Sequence, residues 1–440
     1  MKHVLAATAL VACFGGTAAA QAGGGGDLSV QGFNPDNPTA PIQGVDGDGI
    51  KVGEGTAIYP VIGVSTGVVS NVFYEAVDPN AAGILRLIAQ VGAGSLSSAR
   101  LTRNNPSAGM DSVDQGSFQY RANLSLSYDL LLSGNDSVSE QGGLGVGAAL
   151  RGIVNPQGTF SFGFDENFTR LIRASNYETD ADTNRYINNL GLNLIVHPRG
   201  RSVGGYLYYT NTIDVFEDDR LEFADRIQHR FGVHPTWQIL PKTSLYSDVS
   251  IGVFSGLGDT AAKVDSYPLV AQLGFATLLT AKTSVNLRAG YTNGFYAMGP
   301  SYSSVTAGVQ FGYRYSELGK VGITYDLIYE DSVNANYYRD HVLRLWVQQR
   351  VGLFSVVAQP ELHFRRYEGI SVMGATSTTR DDVIGAVTAG VHYNFRNSLA
   401  ATLDYSFSLV ETDFRYMAGP VIDDPSFVRH QLLAGVRWAL

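Results

Sequence analysis

The sequence predicts an all-β protein, a transmembrane antiparallel β-barrel of about eighteen strands. Three features predict it. One stretch alternates oily and wet residues for longer than soluble strands do, the pattern repeats from residue 58 to the end of the chain, and the connections alternate short and long. The clearest stretch is Ser117 to Ser133. Phe118, Tyr120, Ala122, Leu124, Leu126, Tyr128 and Leu130 make one set; Ser117, Gln119, Arg121, Asn123, Ser125, Ser127 and Asp129 make the other. Successive side chains of a strand point to opposite faces, so one face is apolar and the other polar. Strict phase lasts about fourteen residues, against roughly 5–6 for an ordinary strand. Tyr120 and Tyr128 share the apolar face, and at ~3.3 Å per residue and ~40° tilt their rings stand roughly 20 Å apart in height, near the spacing of two aromatic girdles. On this phase Leu124 and Leu126 face lipid, and Ser125 should accept an arginine that Leu126 would not.

Composition agrees. The chain has 440 residues, 45% hydrophobic and only 16% charged, enough for one large barrel or about three ordinary domains. Beyond the N-terminus no run of about 18 apolar residues occurs, which excludes helical membrane spans. A net charge of −9 argues against nucleic acid as a partner.

Residues 1–22 read as a signal peptide: Met1-Lys2-His3 is a basic start, Val4 to Phe14 an apolar core, and cleavage falls after Ala20 or Ala22. Leu10-Val11-Ala12-Cys13 resembles a lipoprotein cleavage motif, which would instead lipidate Cys13. Ordinary cleavage removes the only cysteine, and with it disulfide and thiol chemistry. Residues 23–56 are rich in Gly, Pro and Asp and do not alternate. They read as a flexible periplasmic leader, or alternatively as a tether for a periplasmic partner. Residues 57–440 are assigned to the barrel.

The alternating segments run in order. Ile58 to Tyr74 and Ile84 to Ser95 come first, then the stretch already described. Leu144 to Val154 and Phe160 to Arg173 form a hairpin across Asn155-Pro156-Gln157-Gly158, a strong turn signal. Arg185 to His197 and Val203 to Phe216 join at Pro198-Arg199-Gly200; Arg226 to Ile239 and Ser244 to Phe254 join at Leu240-Pro241-Lys242. Tyr267 to Leu279 and Ser284 to Phe295, Val305 to Tyr315 and Val321 to Tyr329, Tyr338 to Val351 and Phe354 to Tyr367, and Val383 to Arg396 and Leu399 to Glu411 follow as pairs. Phe427 to Leu440 is last. Its alternating Leu432, Ala434, Val436, Trp438 and Leu440 resemble the terminal signal read by barrel-insertion machinery. Pro360 falls mid-segment, where a lost ladder bond predicts a bulge. Tyr206 to Thr212 reads as a slip of phase.

Short turns on one side and longer Gly-, Ser- and acid-rich loops on the other are the asymmetry of barrels in the outer membrane of a Gram-negative bacterium. An even strand number places both ends in the periplasm. Leu96 to Gly116 breaks the pattern as a long periplasmic connection. Rings gather at both ends of the segments: Trp237, Tyr313, Tyr315, Tyr393, Phe395 and Trp438 below, Tyr128, Tyr291, Phe295, Tyr329, Phe364 and Phe407 above.

The wet face supplies the candidate functional residues. Its arginines are Arg121, Arg226, Arg230, Arg288, Arg314, Arg344, Arg365, Arg429 and Arg437; its acids are Asp129, Asp165, Asp248, Asp326, Glu361 and Asp404. Gln119, Gln228, Gln310, Gln359, Asn193 and His234 join them. Six lysines among 31 basic residues leave 25 arginines, whose planar forks suit carboxylates and sugar hydroxyls. These residues either line a pore or pair across it and stiffen the wall. Catalysis is not expected. No histidine is followed two residues later by serine, and Asp340 and His341, as strand neighbours, point to opposite faces. His and Cys show no metal-ligand spacing, Glu217-Asp218-Asp219 and Arg380-Asp381-Asp382 match no calcium loop, and no cofactor is expected.

Ile58-Tyr59-Pro60, opening a long strand that ends in Ser70-Asn71-Val72-Phe73-Tyr74, resembles the start of the beta-barrel porin 2 family. Phe164-Asp165-Glu166-Asn167-Phe168-Thr169-Arg170 is similar to Asp-x-x-aromatic stretches that recur along such barrels, and the resemblance covers residues 57–440. It implies an eighteen-stranded barrel that carries an acidic or neutral surface polysaccharide out of the cell with a periplasmic polysaccharide-export protein. Under that reading Leu96 to Gly116 is the docking point and Arg226, Arg230, Arg344 and Arg429 contact the polymer. The alternative is a stand-alone diffusion porin for small solutes. A third possibility is a structural anchor closed by its own ion pairs.

Overall fold

The computed structural model describes residues 49–52, 55–95, 117–156, 158–172, 184–198, 202–258, 263–370, 375, 377–396, 398–418 and 421–440. Its strands are β1 (Ile50–Val52), β2 (Thr56–Val69), β3 (Ala82–Ser95), β4 (Phe118–Leu132), β5 (Gly143–Val154), β6 (Phe160–Leu171), β7 (Arg185–Val196), β8 (Val203–Phe216), β9 (Arg226–Leu240), β10 (Thr243–Gly256), β11 (Leu269–Thr280), β12 (Thr283–Asn293), β13 (Ser303–Ser316), β14 (Gly319–Asp331), β15 (Tyr337–Val351), β16 (Phe354–Glu368), β17 (Thr379–Arg396), β18 (Leu399–Thr412), β19 (Tyr416–Ala418), β20 (Val421–Asp423) and β21 (Phe427–Ala439). β19 and β20 make a small hairpin of their own, and β1 folds onto β2.

The remaining eighteen strands pair antiparallel with their sequence neighbours, and β21 closes the ring by pairing with both β18 and β2. Closure leaves no unpaired edge, which is the condition for strands to cross a bilayer. The two-residue period decides which side faces out. Leu126 is 37% exposed and its neighbour Ser125 only 1%. The same division holds along β10, where Leu245, Val249, Ile251 and Val253 are exposed and Tyr246, Ser250 and Phe254 are buried. A belt of apolar side chains this continuous would be costly in water and is matched by hydrocarbon. The protein is therefore an outer-membrane β-barrel. Trp237, Tyr313, Tyr315, Phe395 and Trp438 are exposed near the short turns, and Tyr128, Tyr291 and Phe364 near the long loops, so both interfaces carry rings.

Local chemistry sets the strand ends. Asn155 turns the β5–β6 hairpin at φ 54 and donates to Phe160 O at 2.9 Å, a left-handed position that Asn tolerates. The first barrel strand stops at Val69, five residues earlier than the alternation suggests. The Asn71 amide donates to the carbonyls of Glu75 and Val428 and accepts from Glu75 N–H, which pulls the chain off the ladder. Pro360 produces no bulge. Its register with Val387 is regular, and the pairing with β15 merely lapses between Glu361 and Ala358 without shifting. Tyr206 to Thr212 contains no slip either. The β7–β8 and β8–β9 registers are continuous, and the ambiguity came from tyrosines on both faces of one strand. Ser125 has no room for an arginine, because it packs against β5 and donates to Gly147 O at 3.3 Å.

The signal peptide, Cys13, most of the leader, Leu96 to Gly116, Asn176 to Thr183 and part of Gly369 to Asp381 lie outside the described residues. Within the leader, Ile50–Val52 pairs with β2, a segment too short for alternation to reveal.

Candidate functional site: the luminal wall

Inward positions of β15 and β16 form rungs of opposed polar groups. Asp340 faces Arg365, Val342 faces His363, and Arg344 faces Glu361. Arg344 grips Glu361 with Nε at 2.8 Å and Nη2 at 3.0 Å. His363 bridges the rungs, with Nδ1 2.9 Å from Asp340 and Nε2 3.4 Å from Glu361. Arg365 donates to Asp340 through Nε at 3.0 Å and Nη2 at 2.8 Å, and its guanidinium lies 4.1 Å from the Tyr338 ring. Arg380 continues the ladder over Tyr367 at 5.0 Å and binds Asp382 at 2.7 Å. Such charge-assisted forks hold side chains in one geometry, and removing one partner strands the other in a poorly solvated place.

Another sector, β8 to β14, holds its side chains flat. Tyr208 reaches across β9 to donate to Asp248 at 2.9 Å, passing over Gly232. Tyr246 crosses β11 over Gly274 to donate to Asn286 at 2.8 Å. A Cβ on Gly232 would lie 2.2 Å from Tyr208, and one on Gly274 would lie 2.0 Å from Tyr246. His234 is stacked between Tyr206 and Tyr246 at ring separations of 4.7 and 5.1 Å, with Nδ1 3.0 Å from Asp248.

The ring closes with further pairs along the wall. Arg86 binds Asp129 through two bonds of 2.7 and 2.8 Å. Arg185 and Arg226 share Asp214 at 3.3 and 2.8 Å. Asp404 takes His392 at 3.0 Å and Arg437 at 2.7 Å. Each of these pairs joins adjacent strands.

All of the luminal residues read from the sequence lie on this inward face, but they do not form one site. Arg226, Arg288, Arg344, Arg365 and Arg437 are ion-paired with Asp214, Asp326, Glu361, Asp340 and Asp404. Asp129 holds Arg86, and Asp248 holds Tyr208 and His234. Arg429 donates to Gln431 at 2.8 Å and lies over Tyr74, while Arg230 is half-buried toward the outer-loop end of β9. Arg121 and Arg314 sit toward the short-turn ends of β4 and β13.

The sequence reading missed Arg151, which directly opposes Arg121 and is exposed like it. Leu144, Val146, Ala148 and Leu150 fix the phase of β5, so its inward direction was readable. It also missed Asp214, Asp340 and His363, whose importance comes from partners on neighbouring strands. Arg121, Arg151, Arg314 and the exposed Arg350 make the short-turn end of the lumen basic. Among the described residues no three His, Cys, Asp or Glu side chains gather as a metal site.

No family model matches the chain, and no curated protein matches it. Solved structures do. OccK2 of Pseudomonas aeruginosa in complex with glucuronate shares 12% identity, with 88% of this chain and 98% of that one covered at a TM-score of 0.44. A BenF-like porin from Pseudomonas fluorescens Pf-5 shares 10%, with 88% and 99% covered at 0.46. The siderophore receptor PirA of Pseudomonas aeruginosa shares 6%, with 87% and 80% covered at 0.40. These are likenesses of fold. The ring of strands and its wall define the class as a closed eighteen-stranded outer-membrane barrel with a polar, ion-paired interior.

Proposed function

We propose that the protein is a diffusion channel, a porin that passes small polar solutes and favours anions. The observation that carries this reading is the way long luminal side chains lie along the wall, bonded to neighbours and laid over glycines. Eighteen strands enclose an aqueous channel when side chains do not fill it. Paired groups offer many weak contacts and no tight site, as conduction requires. The basic end formed by Arg121, Arg151, Arg314 and Arg350 draws anions. Arg226, Arg230, Arg288, Arg344, Arg365, Arg429 and Arg437, with Asp129, Asp248, Asp326, Glu361 and Asp404, line the path.

Polysaccharide export with a periplasmic partner rests on the resemblance of the first strand and of Phe164 to Arg170. Its docking segment lies outside the described residues, and no feature of the wall favours a polymer over a small solute. Reconstituted full-length protein should conduct in planar bilayers and make liposomes swell in small saccharides. A deletion strain should keep its surface polysaccharide and lose uptake of a small anionic solute. A silent bilayer, together with loss of surface polymer in the deletion strain, would replace this reading with export.

A further inference from the structure

Six histidines lie in the barrel strands, and they divide by face. His234, His363 and His392 point inward, each onto a carboxylate. His229, His341 and His430 point outward, and each takes a different partner: Tyr209, Tyr325 and Tyr405 place their hydroxyls 2.9 Å from Nδ1 in all three. The ring separations are alike, at 6.1, 6.3 and 6.2 Å.

The placement repeats as well. Each histidine is the fourth or fifth residue of a strand that descends from the outer rim, β9, β15 or β21. Each tyrosine is on the preceding strand and opposes the residue two places farther down: Tyr209 faces Phe231, Tyr325 faces Leu343, and Tyr405 faces Leu432. Every phenol therefore points up, from the hydrocarbon toward the outer rim. A phenol is a ready donor, and donating to Nδ1 fixes the imidazole as the Nε2–H tautomer. Among the described residues none hydrogen-bonds that Nε2. An N–H at the edge of hydrocarbon without an acceptor is costly.

The acceptor must be present around the whole barrel. The pairs sit at β8–β9, β14–β15 and β18–β21, spread around the ring, so one protein partner could not cover all three. What surrounds a barrel on every side at this height is the headgroup layer of the outer leaflet. Its strongest acceptors are phosphate oxygens, for which hydrogen bonds are charge-assisted. Exposed Arg339 stands two residues above His341 on the same face and adds a cation there.

We propose that Tyr209–His229, Tyr325–His341 and Tyr405–His430 are docking points for phosphate groups of outer-leaflet lipid. Tyrosine sets the tautomer, and histidine Nε2–H binds the phosphate.

The test uses the folded full-length protein in detergent micelles, incubated with bis-phosphorylated lipid A or with the same lipid stripped of phosphate, and native mass spectrometry of the bound lipid. The unmodified protein should retain the phosphorylated lipid in preference. The triple variant H229F/H341F/H430F should fall severalfold, to the level of the stripped lipid. Y209F/Y325F/Y405F, which keeps the imidazoles and removes the phenol from each Nδ1, although Asn211 Nδ2 still lies 3.2 Å from that of His229, should fall part-way. Equal retention of both lipids by the unmodified protein, or undiminished retention by the triple histidine variant, overturns the proposal. Full retention by the tyrosine variant overturns the role of the phenols. Heat-modifiable gel mobility reports folding. Should the triple variant fail to fold, each single His→Phe variant should lose one bound phosphorylated lipid, and three unchanged singles overturn the proposal equally.

Discussion

Arg288 and Asp326 meet at 2.5 Å although an entire strand separates them. Arg288 belongs to β12 and Asp326 to β14, and Gly308 of β13 pairs with both. The guanidinium reaches its carboxylate only because nothing projects from Gly308. A Cβ there would lie 2.3 Å from Arg288 Nε and 2.7 Å from Asp326 Oδ1. Gly308→Ala should therefore lift the bridge off the wall, at a cost of about 1–3 kcal/mol for overpacking. Single-channel conductance should fall, because the displaced arginine enters the path. Unchanged conductance with unchanged stability would show that the pair bends around a methyl group without loss.

Arg121 and Arg151 oppose each other across β4 and β5, both exposed. Like charges set face to face oppose folding slightly and favour any anion that passes. The double variant Arg121→Gln/Arg151→Gln should fold at least as well as the parent and shift the reversal potential in a salt gradient toward cations. A parent channel that already prefers cations would remove the basis for anion selectivity.

The fold was legible because a barrel writes its phase into every strand. Lipid outside and water inside reward alternation for the full length of β4, so its ends could be placed within a residue at Phe118 and Leu132. Departures came where a side chain acts on backbone, as at Asn71, or where a lost ladder bond is absorbed in place, as at Pro360. The wall was legible only as a list of inward residues. Alternation states that Arg344 and Glu361 face in, but their contact depends on the register between β15 and β16, which turn lengths set. Bridges over Gly232, Gly274 and Gly308 need two registers at once and leave no signal in any single strand.

Leu126 and Ser125 give the sharpest test of the phase. Leu126→Arg places a cation against mid-bilayer hydrocarbon and should cost about 2–4 kcal/mol, read from folding in urea with lipid vesicles. The control is Ala149→Gln, an exposed inward position of β5, expected within about 0.5 kcal/mol of the parent. Ser125 is unsuitable because its pocket is closed. Equal damage at Leu126 and Ala149 would show that the assigned phase is wrong.

Asp225 makes the outer end of the β8–β9 connection sensitive to pH. It is buried between the 3-10 turn Asp219–Ala224 and β9, and its Oδ1 accepts the Phe216 N–H at 2.8 Å. Burial raises its carboxyl most, to about 6, with the negative charges of Asp214 and Glu222 adding to the rise and the Phe216 hydrogen bond opposing it. In the unfolded chain an aspartate titrates near its ordinary value of about 3.9. The ordered connection thus holds the proton more tightly than the disordered one. Its stabilisation is complete below about pH 4 and is lost as pH rises through about 6. Asp225→Asn keeps an oxygen acceptor for Phe216 and removes the charge. Hydrogen exchange at the Phe216 and Leu257 amides, which bond to Asp225 Oδ1 and its carbonyl, reads the effect. After correction for intrinsic rates, protection in the parent should fall between pH 5 and 7, whereas the Asn variant should stay flat and be better protected at pH 7.5. A flat profile in the parent would show that Asp225 ionises at its ordinary pH in the folded barrel.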